Sequence, residues 1–402
     1  MQSIQWVENR FKTEKDITEY MKVYSAEEME KANHFHASMP QYKETPLRVL
    51  SGLSEALGLD TVYVKDESKR FDLNAFKGLG ASYAMANYFA KELNVDLNTL
   101  TFNELLDKIA DLPKVTFATA TDGNHGKGVA WAASIFNQDS RIYMPKGTAQ
   151  SRLDAVSDFD AGGQVTEMNY DDTVEYTADL SEKNGWILLQ DTAWEGYEEI
   201  PMNIMQGYTT IIAEIMKQLE DGELDEISHI FLQAGVGSFA GAIAAAVHNA
   251  TEGIMPEIIV VEPAEADCLC QSAQGESGAP VRVNGELDSM MAGLCCGEPS
   301  PQAWNILKSI TDYFVSCDDS ISARGMRVFD QPAGKDERVV SGESGAVTLG
   351  LLDEIMTNEA YGEFKNLLGL NEASKVLIIN TEGDTDPVNY KKIVRDGNDE
   401  YE

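Results

Sequence analysis

Short apolar runs alternate with longer amphipathic stretches along most of the chain. Runs of four or five β-branched and apolar residues predict strands, and apolar positions that recur every 3–4 residues predict helices. Strands are predicted at 61–65, 115–119, 141–144, 164–168, 186–189, 230–233, 257–261 and 375–379. Helices are predicted at 75–92, 125–136, 149–159, 172–183, 203–219, 238–248 and 345–355. This alternation is typical of α/β proteins, in which ligands bind at the carboxyl ends of parallel strands.

The length of the chain predicts two domains, because 402 residues exceed what one hydrophobic core usually absorbs. No internal repeat or low-complexity linker marks a boundary. The polar stretch 93–111 is interpreted as irregular chain that leaves one domain for the other.

Composition narrows the class of protein. Hydrophobic residues make up 43% and charged residues 24%, as in a folded globular protein. The net charge of −36 disfavours nucleic acid and anionic membranes as partners. The apolar stretch 239–247 is too short to cross a bilayer, and residues 1–15 lack the apolar centre of a secretory signal. We expect a soluble cytoplasmic protein.

The cysteines indicate free thiols rather than a metal centre. Cys268 and Cys270 are two apart, Cys295 and Cys296 are adjacent, and Cys317 stands alone. Zinc sites prefer cysteine pairs with two to four residues between them and matching histidines, so no metal is expected.

Lys77 lies among Phe, Leu, Ala and Gly in the segment 73–80 (LNAFKGLG). Burial in such surroundings lowers the pKa of an amine, which suits a lysine that forms a Schiff base. The alternative is a lysine that extends from a helix surface into solvent.

Two loops that join a predicted strand to a predicted helix could bind anions. In 119–126 (TATDGNHG), Asp122 could act as a base or could simply cap the helix, and His125 is interpreted as a helix-start residue. In 233–241 (QAGVGSFAG), glycines allow backbone amides to converge on a phosphate. With Glu262 after the next strand, this second loop also suggests a nucleotide-binding dehydrogenase or a ligand sensor.

Polar residues follow two further predicted strands. Asp191 comes after 186–190, and the segment 381–387 (TEGDTDP) follows the last strand. Ordinary turns have the same composition. Together with the lysine and both loops, however, they favour one shared site.

These motifs together resemble those of the tryptophan-synthase-β-like, fold type II pyridoxal-phosphate enzymes and, within that group, of the diaminopropionate ammonia-lyases. The similarity runs from about Lys43 to Arg395. The motifs that carry it are 64–68 (VKDES), 74–77 (NAFK), 121–126 (TDGNHG), 190–194 (QDTAW), 200–201 (IP), 205–208 (MQGY), 235–238 (GVGS), 291–294 (MAGL) and 381–387.

Three departures from the wider group favour the diaminopropionate enzymes over serine or threonine dehydratases. Ala75 replaces a Ser or Thr two residues before the lysine, and Asp122 precedes Gly123 in the asparagine loop. The usual Ser-Gly-Gly-Asn near the last strand is replaced by 381–384 (TEGD).

The resemblance implies a role for each matching residue. Lys77 would carry pyridoxal 5'-phosphate, with Phe76 beside it, and Asn124 would bind the ring hydroxyl. Thr381 would face the pyridine nitrogen, and Asp122 and Asp191 would lie near the amino groups of the substrate. The amides that would hold the phosphate are those of Ala234, Gly235, Val236, Gly237 and Ser238.

The resemblance also implies an architecture and an activity. Two open, mostly parallel sheets flanked by helices would form a large domain (1–88 and 205–402) and a smaller inserted domain (89–204), with the cofactor in the cleft between them. The activity would be α,β-elimination of D- or L-2,3-diaminopropionate to pyruvate and ammonia by a homodimer. A serine/threonine-type dehydratase or a β-replacement synthase on the same fold is the alternative.

Overall fold

The computed structural model describes residues 3–13, 18–121, 123–148, 150–220 and 222–395. Eleven strands occur in these ranges: β1 (Ile4–Glu8), β2 (Leu47–Val49), β3 (Thr61–Asp66), β4 (Thr116–Ala120), β5 (Asp139–Met144), β6 (Gly162–Val165), β7 (Ile187–Leu188), β8 (His229–Gln233), β9 (Glu257–Pro263), β10 (Tyr313–Cys317) and β11 (Lys375–Asn380).

The helices of the same ranges connect these strands. They are α1 (Thr18–Lys22), α2 (Ala26–Ala37), α3 (Ser51–Leu57), α4 (Gly78–Glu92), α5 (Phe102–Ile109), α6 (Asn124–Ile135), α7 (Gln150–Ser157), α8 (Tyr170–Asn184), α9 (Glu199–Tyr208), α10 (Thr210–Gln218), α11 (Ser238–Ala250), α12 (Cys268–Gln274), α13 (Pro301–Ile310), α14 (Asp319–Asp330), α15 (Glu343–Thr357), α16 (Gly362–Leu368) and α17 (Pro387–Val394).

The strands form two separate sheets. The larger has the order β1-β10-β9-β8-β11-β3-β2, and the smaller has the order β6-β5-β4-β7. Only the two edge strands β1 and β2 of the larger sheet are antiparallel to their neighbours, and the smaller sheet is entirely parallel. The predicted α/β fold with two mostly parallel sheets is therefore confirmed.

Helices cover both faces of the larger sheet, as the short apolar strands require. In β8, Ile230 and Leu232 belong to the core that packs against α4, α9 and α11. Phe231, between them, belongs to the opposite core, which includes residues of α14 and α15. The two-residue repeat of a strand thus builds two cores from one apolar run.

Several predicted boundaries differ from the structure. The predicted helix 75–92 begins only at Gly78, so that Lys77 is its N-cap residue. The predicted helix 203–219 is two helices, which break at Thr209, where the hydroxyl donates to the carbonyl of Gln206 at 2.6 Å. The strand predicted at 164–168 is β6, two to three residues earlier.

The stretch 93–111 is not irregular, as the sequence analysis expected. It contains α5, which starts with a capping box between Thr101 and Glu104. Phe102 and Leu105 are buried in the core that α4 also contributes to. The expected irregular conformation is therefore wrong, and the interpretation of this stretch as the exit from one domain stays a prediction.

The predicted domain ranges place the strands of each sheet together, since β4–β7 lie within 89–204 and the other strands lie outside it. Their limits at 88 and 204, however, fall inside α4 and α9, two helices that pack against each other. The division into domains stays a prediction. In the described ranges no helix is both long and apolar enough to span a bilayer.

Candidate active site

A cavity opens where the carboxyl ends of strands from both sheets face each other. Ala120 ends β4 of the smaller sheet, and Gln233 ends β8 of the larger sheet. Both line the cavity, as does Thr381, which directly follows β11. The structure therefore brings the predicted strand ends of the two sheets to one place, where α/β proteins bind ligands.

Lys77 extends into this cavity from the N-cap position of α4. Its Nζ lies 5.3 Å from the centre of the Phe76 ring and 5.7 Å from that of Tyr208. The aromatic walls agree with the apolar surroundings expected from the sequence. The side chain is 18% exposed, so the lysine is not a surface residue that extends into solvent.

Asp191 supplies the counter-charge that the apolar segment around Lys77 lacks. Its Oδ2 lies 2.5 Å from the Nζ of Lys77, and its side chain is 7% exposed. Burial opposes ionisation of Asp191, but His125 and Lys77 together lower its pKa to about 2. The hydroxyl of Ser238 donates to the backbone carbonyl of Asp191 at 2.6 Å and so fixes this strand end against α11.

His125 is closer to the reacting groups than the sequence analysis expected. It lines the cavity, and its Nδ1 lies 3.7 Å from Oδ2 of Asp191. Its Nε2 contacts the carbonyl of Leu189 at 2.8 Å, which requires that this nitrogen carry a proton. Burial lowers the pKa of the imidazole, although the nearby Asp191 opposes this shift. His125 therefore both starts α6 and forms part of the wall around Asp191.

The asparagine loop comes from the smaller sheet. Thr121 orders it, because its Oγ1 accepts hydrogen bonds from the amides of Gly123 and Gly126 at 3.0 and 3.1 Å. Asn124 is the first residue of α6 and lines the cavity, with its Nδ2 donating to Oε2 of Glu382. Asp122 lies outside the described residues, so its predicted role as a base stays a prediction.

The glycine loop lies between β8 and α11, as predicted. Gly235, Val236, Gly237 and Ser238 line the cavity at the start of the 13-residue helix α11. Gly237 has a φ of +96°, which favours glycine, and the loop therefore needs this residue. A side chain at Gly235 would come within 3.1 Å of the sulfur of Cys296.

One residue predicted for the phosphate-binding loop does not belong to it. The amide of Ala234 donates to the carbonyl of Val261 at 2.9 Å, which continues the hydrogen bonding of β8 to β9. Ala234 is also not among the residues that line the cavity. The amides that can meet an anion therefore begin at Gly235.

Thr381 is 4% exposed, and its Oγ1 accepts a hydrogen bond from Nε2 of Gln233 at 2.9 Å. Since that bond occupies the oxygen as an acceptor, the hydroxyl proton can be donated to an acceptor inside the cavity. The Oε1 of Gln233 is buried and has no hydrogen-bond partner among the described residues. This end of the cavity therefore offers both a donor and an unsatisfied acceptor to a bound polar ring.

The dehydrogenase alternative fails at Glu262. This residue is fully buried and does not line the cavity. Its two carboxyl oxygens accept hydrogen bonds from the amides of Leu269 and Cys270 at 2.8 and 2.7 Å. Burial raises the pKa of Glu262 well above its usual value. The side chain caps the start of α12 and is not placed to bind a ribose.

Several cavity residues were missed by the sequence analysis. Gln233 and Glu382 stand inside motifs that it quoted, directly beside residues it selected, yet neither received a role. Tyr170 also lines the cavity and accepts from Nε2 of Gln190 at 3.2 Å. No sequence signal marked Tyr170, because it lies at the start of α8, outside every motif quoted from the sequence.

The residues present fit pyridoxal phosphate. A lysine lies at the centre of the cavity, the amides of a helix start can meet a phosphate, and a hydroxyl and an orphaned carbonyl can meet the ring. By contrast, the described residues include no group of three or more His, Cys, Asp or Glu side chains that could hold a metal ion.

Comparisons with known proteins agree with this geometry. The family described as "Pyridoxal-phosphate dependent enzyme" matches residues 39–381. The diaminopropionate ammonia-lyase of Salmonella typhimurium is 47% identical over 90% of this chain and 91% of its own length.

Solved structures give the same result. The holo diaminopropionate ammonia-lyase from Escherichia coli is similar with a TM-score of 0.92 and 43% identity, covering 98% of this chain and 97% of that one. The same enzyme in complex with an aminoacrylate-PLP azomethine reaction intermediate gives a TM-score of 0.90 at 42% identity, with the same coverage. The chain belongs to the diaminopropionate ammonia-lyases, within the pyridoxal-phosphate-dependent enzymes of fold type II.

Proposed function

We propose that this protein catalyses the α,β-elimination of 2,3-diaminopropionate to pyruvate and ammonia, with Lys77 carrying the cofactor and Asp191 binding an ammonium group. The observation that carries this proposal is the 2.5 Å contact between Nζ of Lys77 and Oδ2 of Asp191 inside the cavity. A buried carboxylate at this point already binds one ammonium group. A diamino acid brings ammonium groups of its own to the same place.

The charge state of Asp191 favours an amine over a hydroxyl as the leaving group. Beside a charged ammonium group the pKa of the Asp191 carboxyl is lowered to about 2, so next to such a group it is ionised at neutral pH and is a poor general acid. The hydroxyl of serine would need a proton from such an acid before it could leave. An ammonium group already carries its proton, so it needs only an anionic partner, which Asp191 provides.

Proton transfer at Cα is assigned to two residues. When bound, pyridoxal phosphate draws electrons from Cα of the substrate and makes its proton acidic. The Nζ of Lys77 takes that proton from the L-isomer, and Asp122 takes it from the D-isomer on the opposite face. Asp122 enters as a sequence-based proposal, because it lies outside the described residues.

The remaining cavity residues hold the cofactor. The amides of Gly235 to Ser238 bind the phosphate, and the hydroxyl of Thr381 donates to the pyridine nitrogen. A nitrogen that accepts a hydrogen bond stays unprotonated, which weakens the electron sink and favours elimination over transamination. Asn124 binds the ring hydroxyl, and Phe76, whose ring centre is 4.6 Å from that of Phe239, supports the wall beside Lys77.

Pyruvate formation tests the substrate. The holoenzyme is assayed with D- and L-2,3-diaminopropionate and with D- and L-serine at equal concentrations. We expect kcat/KM for at least one diamino acid to exceed that for either serine. Faster turnover of serine would move the protein to the dehydratases, and formation of a thioether from an added thiol would move it to the β-replacement synthases.

Single-charge variants test the roles of the two aspartates. Asp191→Asn removes a charge-assisted contact, so we expect kcat/KM for diaminopropionate to fall about 10- to 100-fold. Asp179→Asn, whose side chain is 72% exposed and 3.9 Å from Lys183, serves as the matched control. Asp122→Asn is expected to abolish turnover of the D-isomer alone. Undiminished D-isomer turnover in that variant would remove Asp122 from the mechanism.

Three further proposals concern the whole protein. We keep the homodimer, the cytoplasmic location and the division into domains 1–88 with 205–402 and 89–204. Sedimentation equilibrium of the holoenzyme tests the dimer, because a mass near twice 44.2 kDa is then expected. Fractionation of the producing cells tests the location, and limited proteolysis tests the domains.

A further inference from the structure

Glu382 is the residue of the cavity that has received no function so far. By resemblance to the wider group, it stands at the position of the first glycine of a Ser-Gly-Gly-Asn segment, so this chain has a carboxylate at a position that has no side chain there. The side chain is buried, since the residue is only 4% exposed. It nevertheless lines the cavity beside Thr381 and Asn124.

The backbone of this segment is bonded to the chain on both sides of it. Glu382 pairs with Ala75 in an isolated antiparallel bridge, two residues before Lys77. Its carbonyl accepts from the amide of Gly342, just before α15, at 3.1 Å. The next amide, that of Gly383, donates to the carbonyl of Asn74 at 2.9 Å. The position of Glu382 is therefore fixed relative to the segment that carries Lys77.

The side chain of Glu382 crosses from the larger sheet to the asparagine loop. Oε1 accepts from the amide of Ser344 at 2.8 Å, and Oε2 accepts from Nδ2 of Asn124, 258 positions away along the chain. Thr385 also donates to Oε2, at 3.5 Å. Both carboxyl oxygens of Glu382 therefore act as hydrogen-bond acceptors for neighbouring donors. The side chain also affects its neighbour, because burial and Glu382 together raise the pKa of Glu343 to about 7.

We propose that Glu382 is a positioning residue, whose carboxylate fixes the side-chain amide of Asn124 in the orientation that meets the ring hydroxyl of the cofactor. A carboxylate accepts hydrogen bonds but cannot donate them, so only the nitrogen of the Asn124 amide can face it. One N–H of that nitrogen is then held by Glu382, and the other remains available to the cofactor. With a glycine at position 382, no side chain there would determine whether the oxygen or the nitrogen of the Asn124 amide faces this position.

The inference rests on the proposed function, in which Asn124 contacts the cofactor. Its consequences for the loop do not depend on which amino acid is the substrate. If Glu382 acts through Asn124, its removal must loosen the start of α6 and must have no separate effect on catalysis once Asn124 is gone.

The first test measures hydrogen–deuterium exchange of the cofactor-free protein. Glu382→Gln keeps the size of the side chain but leaves one acceptor for the donors of Ser344 and Asn124. We expect faster exchange in the first turn of α6 and unchanged exchange in β8 and β9. Glu354→Gln is the matched control, because it changes another largely buried carboxyl, which contacts Asn358 and Arg324 and not Asn124. Unchanged exchange at α6 in the Glu382 variant would overturn the proposal.

The second test is a double-mutant cycle on the holoenzyme. Loss of a charge-assisted hydrogen bond predicts about a 10- to 100-fold fall in kcat for Glu382→Gln, accompanied by a shifted visible band of the bound cofactor. In an Asn124→Ala background, the same substitution is expected to change kcat less than about twofold. An equal loss in both backgrounds would show that Glu382 does not act through Asn124 and would overturn the proposal.

The two tests decide the role of Glu382 even if the substrate is not diaminopropionate or if Glu382→Gln does not fold. Should the holoenzyme not turn over diaminopropionate, the proposed function fails, while the exchange result and the visible band still decide the role of Glu382. Should Glu382→Gln not fold, Asn124→Ala breaks the same contact from the other side. That variant must then show the faster exchange in α6, and normal exchange there would count against the proposal.

Discussion

The substitution Glu214→Gln is expected to destabilise the fold by about 3 kcal/mol, because it breaks a buried cluster of charges. Glu214 contacts Nζ of Lys65 at 2.6 Å and Nη1 of Arg70 at 2.6 Å. The side chains of all three residues are 0% exposed, as is that of Glu67, which lies 2.8 Å from Arg70. Since removing one partner of a buried pair typically costs about 3–5 kcal/mol, and Arg70 keeps Glu67, the lower end applies.

Differential scanning fluorimetry of matched holoenzymes measures this effect. About 2–4 °C per kcal/mol is typical for a domain of 150–250 residues, so the midpoint should fall by about 6 °C or more. Glu30→Gln is the control, because Glu30 is 64% exposed and lies 3.7 Å from Lys217, itself 46% exposed. A surface pair of this kind contributes about 0–1 kcal/mol. An equal shift in the two variants would show that the buried cluster stabilises the fold no more than an exposed pair does.

The pH dependence provides a second check with a definite sign. Burial already lowers the pKa of Lys65, and in the variant the opposing contribution of Glu214 is lost. The pKa of Lys65 is then lowered further, and the folded variant binds fewer protons than the folded wild type. The stability of the variant therefore rises relative to wild type as the pH increases toward the ordinary pKa of lysine. In wild type, burial opposes ionisation of Glu214, but Arg70 and Lys65 lower its pKa from 4.5 to about 2. Its contribution is therefore present above pH 4.5 and is lost as the pH falls toward 2. A deficit that widened from pH 7 to 9 would contradict this account.

Three further substitutions test the site and its surroundings. Gly235→Ala should weaken the binding of pyridoxal phosphate about tenfold or more, as measured by equilibrium dialysis, because the added Cβ would lie 3.1 Å from the sulfur of Cys296. Gly362→Ala is the control and should leave this binding unchanged, because the space around Gly362 is open. Glu343→Gln should be more stable than wild type by up to about 3 kcal/mol between pH 5 and 8. Burial and the adjacent carboxylate raise the pKa of Glu343 from 4.5 to about 7, so ionisation of this carboxyl favours the unfolded wild-type chain as the pH rises through this range. Thermal midpoints of the two proteins measure the difference. Thr381→Val should shift the visible band of the cofactor and lower kcat about tenfold or more, while Thr381→Ser should keep both.

The sequence predicted the elements whose signal is local. The glycine loop and α11 follow β8 as expected, because the apolar strand, the glycines and the start of the helix lie within about a dozen consecutive residues. Lys77 was found for the same reason, since its apolar neighbours stand beside it in the chain. Strands β1, β2 and β10 were missed. The edge strands β1 and β2 depend on neighbours that lie far along the chain, and β1 pairs with β10 itself.

The start of α4 could not be predicted from periodicity. Apolar residues continue from Ala75 through Phe76 into the helix, so the pattern alone favours a helix from 75 onward. In the structure, Ala75 pairs with Glu382, and the amide of Phe76 donates to the carbonyl of Thr381 at 3.2 Å. A distant strand end therefore takes these residues out of the helix and places Lys77 at its N-cap.

The contacts that complete the site join residues of one sheet to residues of the other, and contacts of this kind could not be predicted from the sequence. Asn124 and Glu382 meet across 258 positions, and Lys77 and Asp191 meet across 114. Each partner of the first pair stands in a motif that was recognised, but a motif gives no information about which other motif it faces. Asp191 was placed near the substrate only by resemblance, and its contact with Lys77 came from the fold. The charge of Asp191 argues for a diamino substrate, and that charge depends on both neighbours, Lys77 and His125. Specificity in this enzyme therefore depends on contacts between residues of the two sheets and not on any single segment.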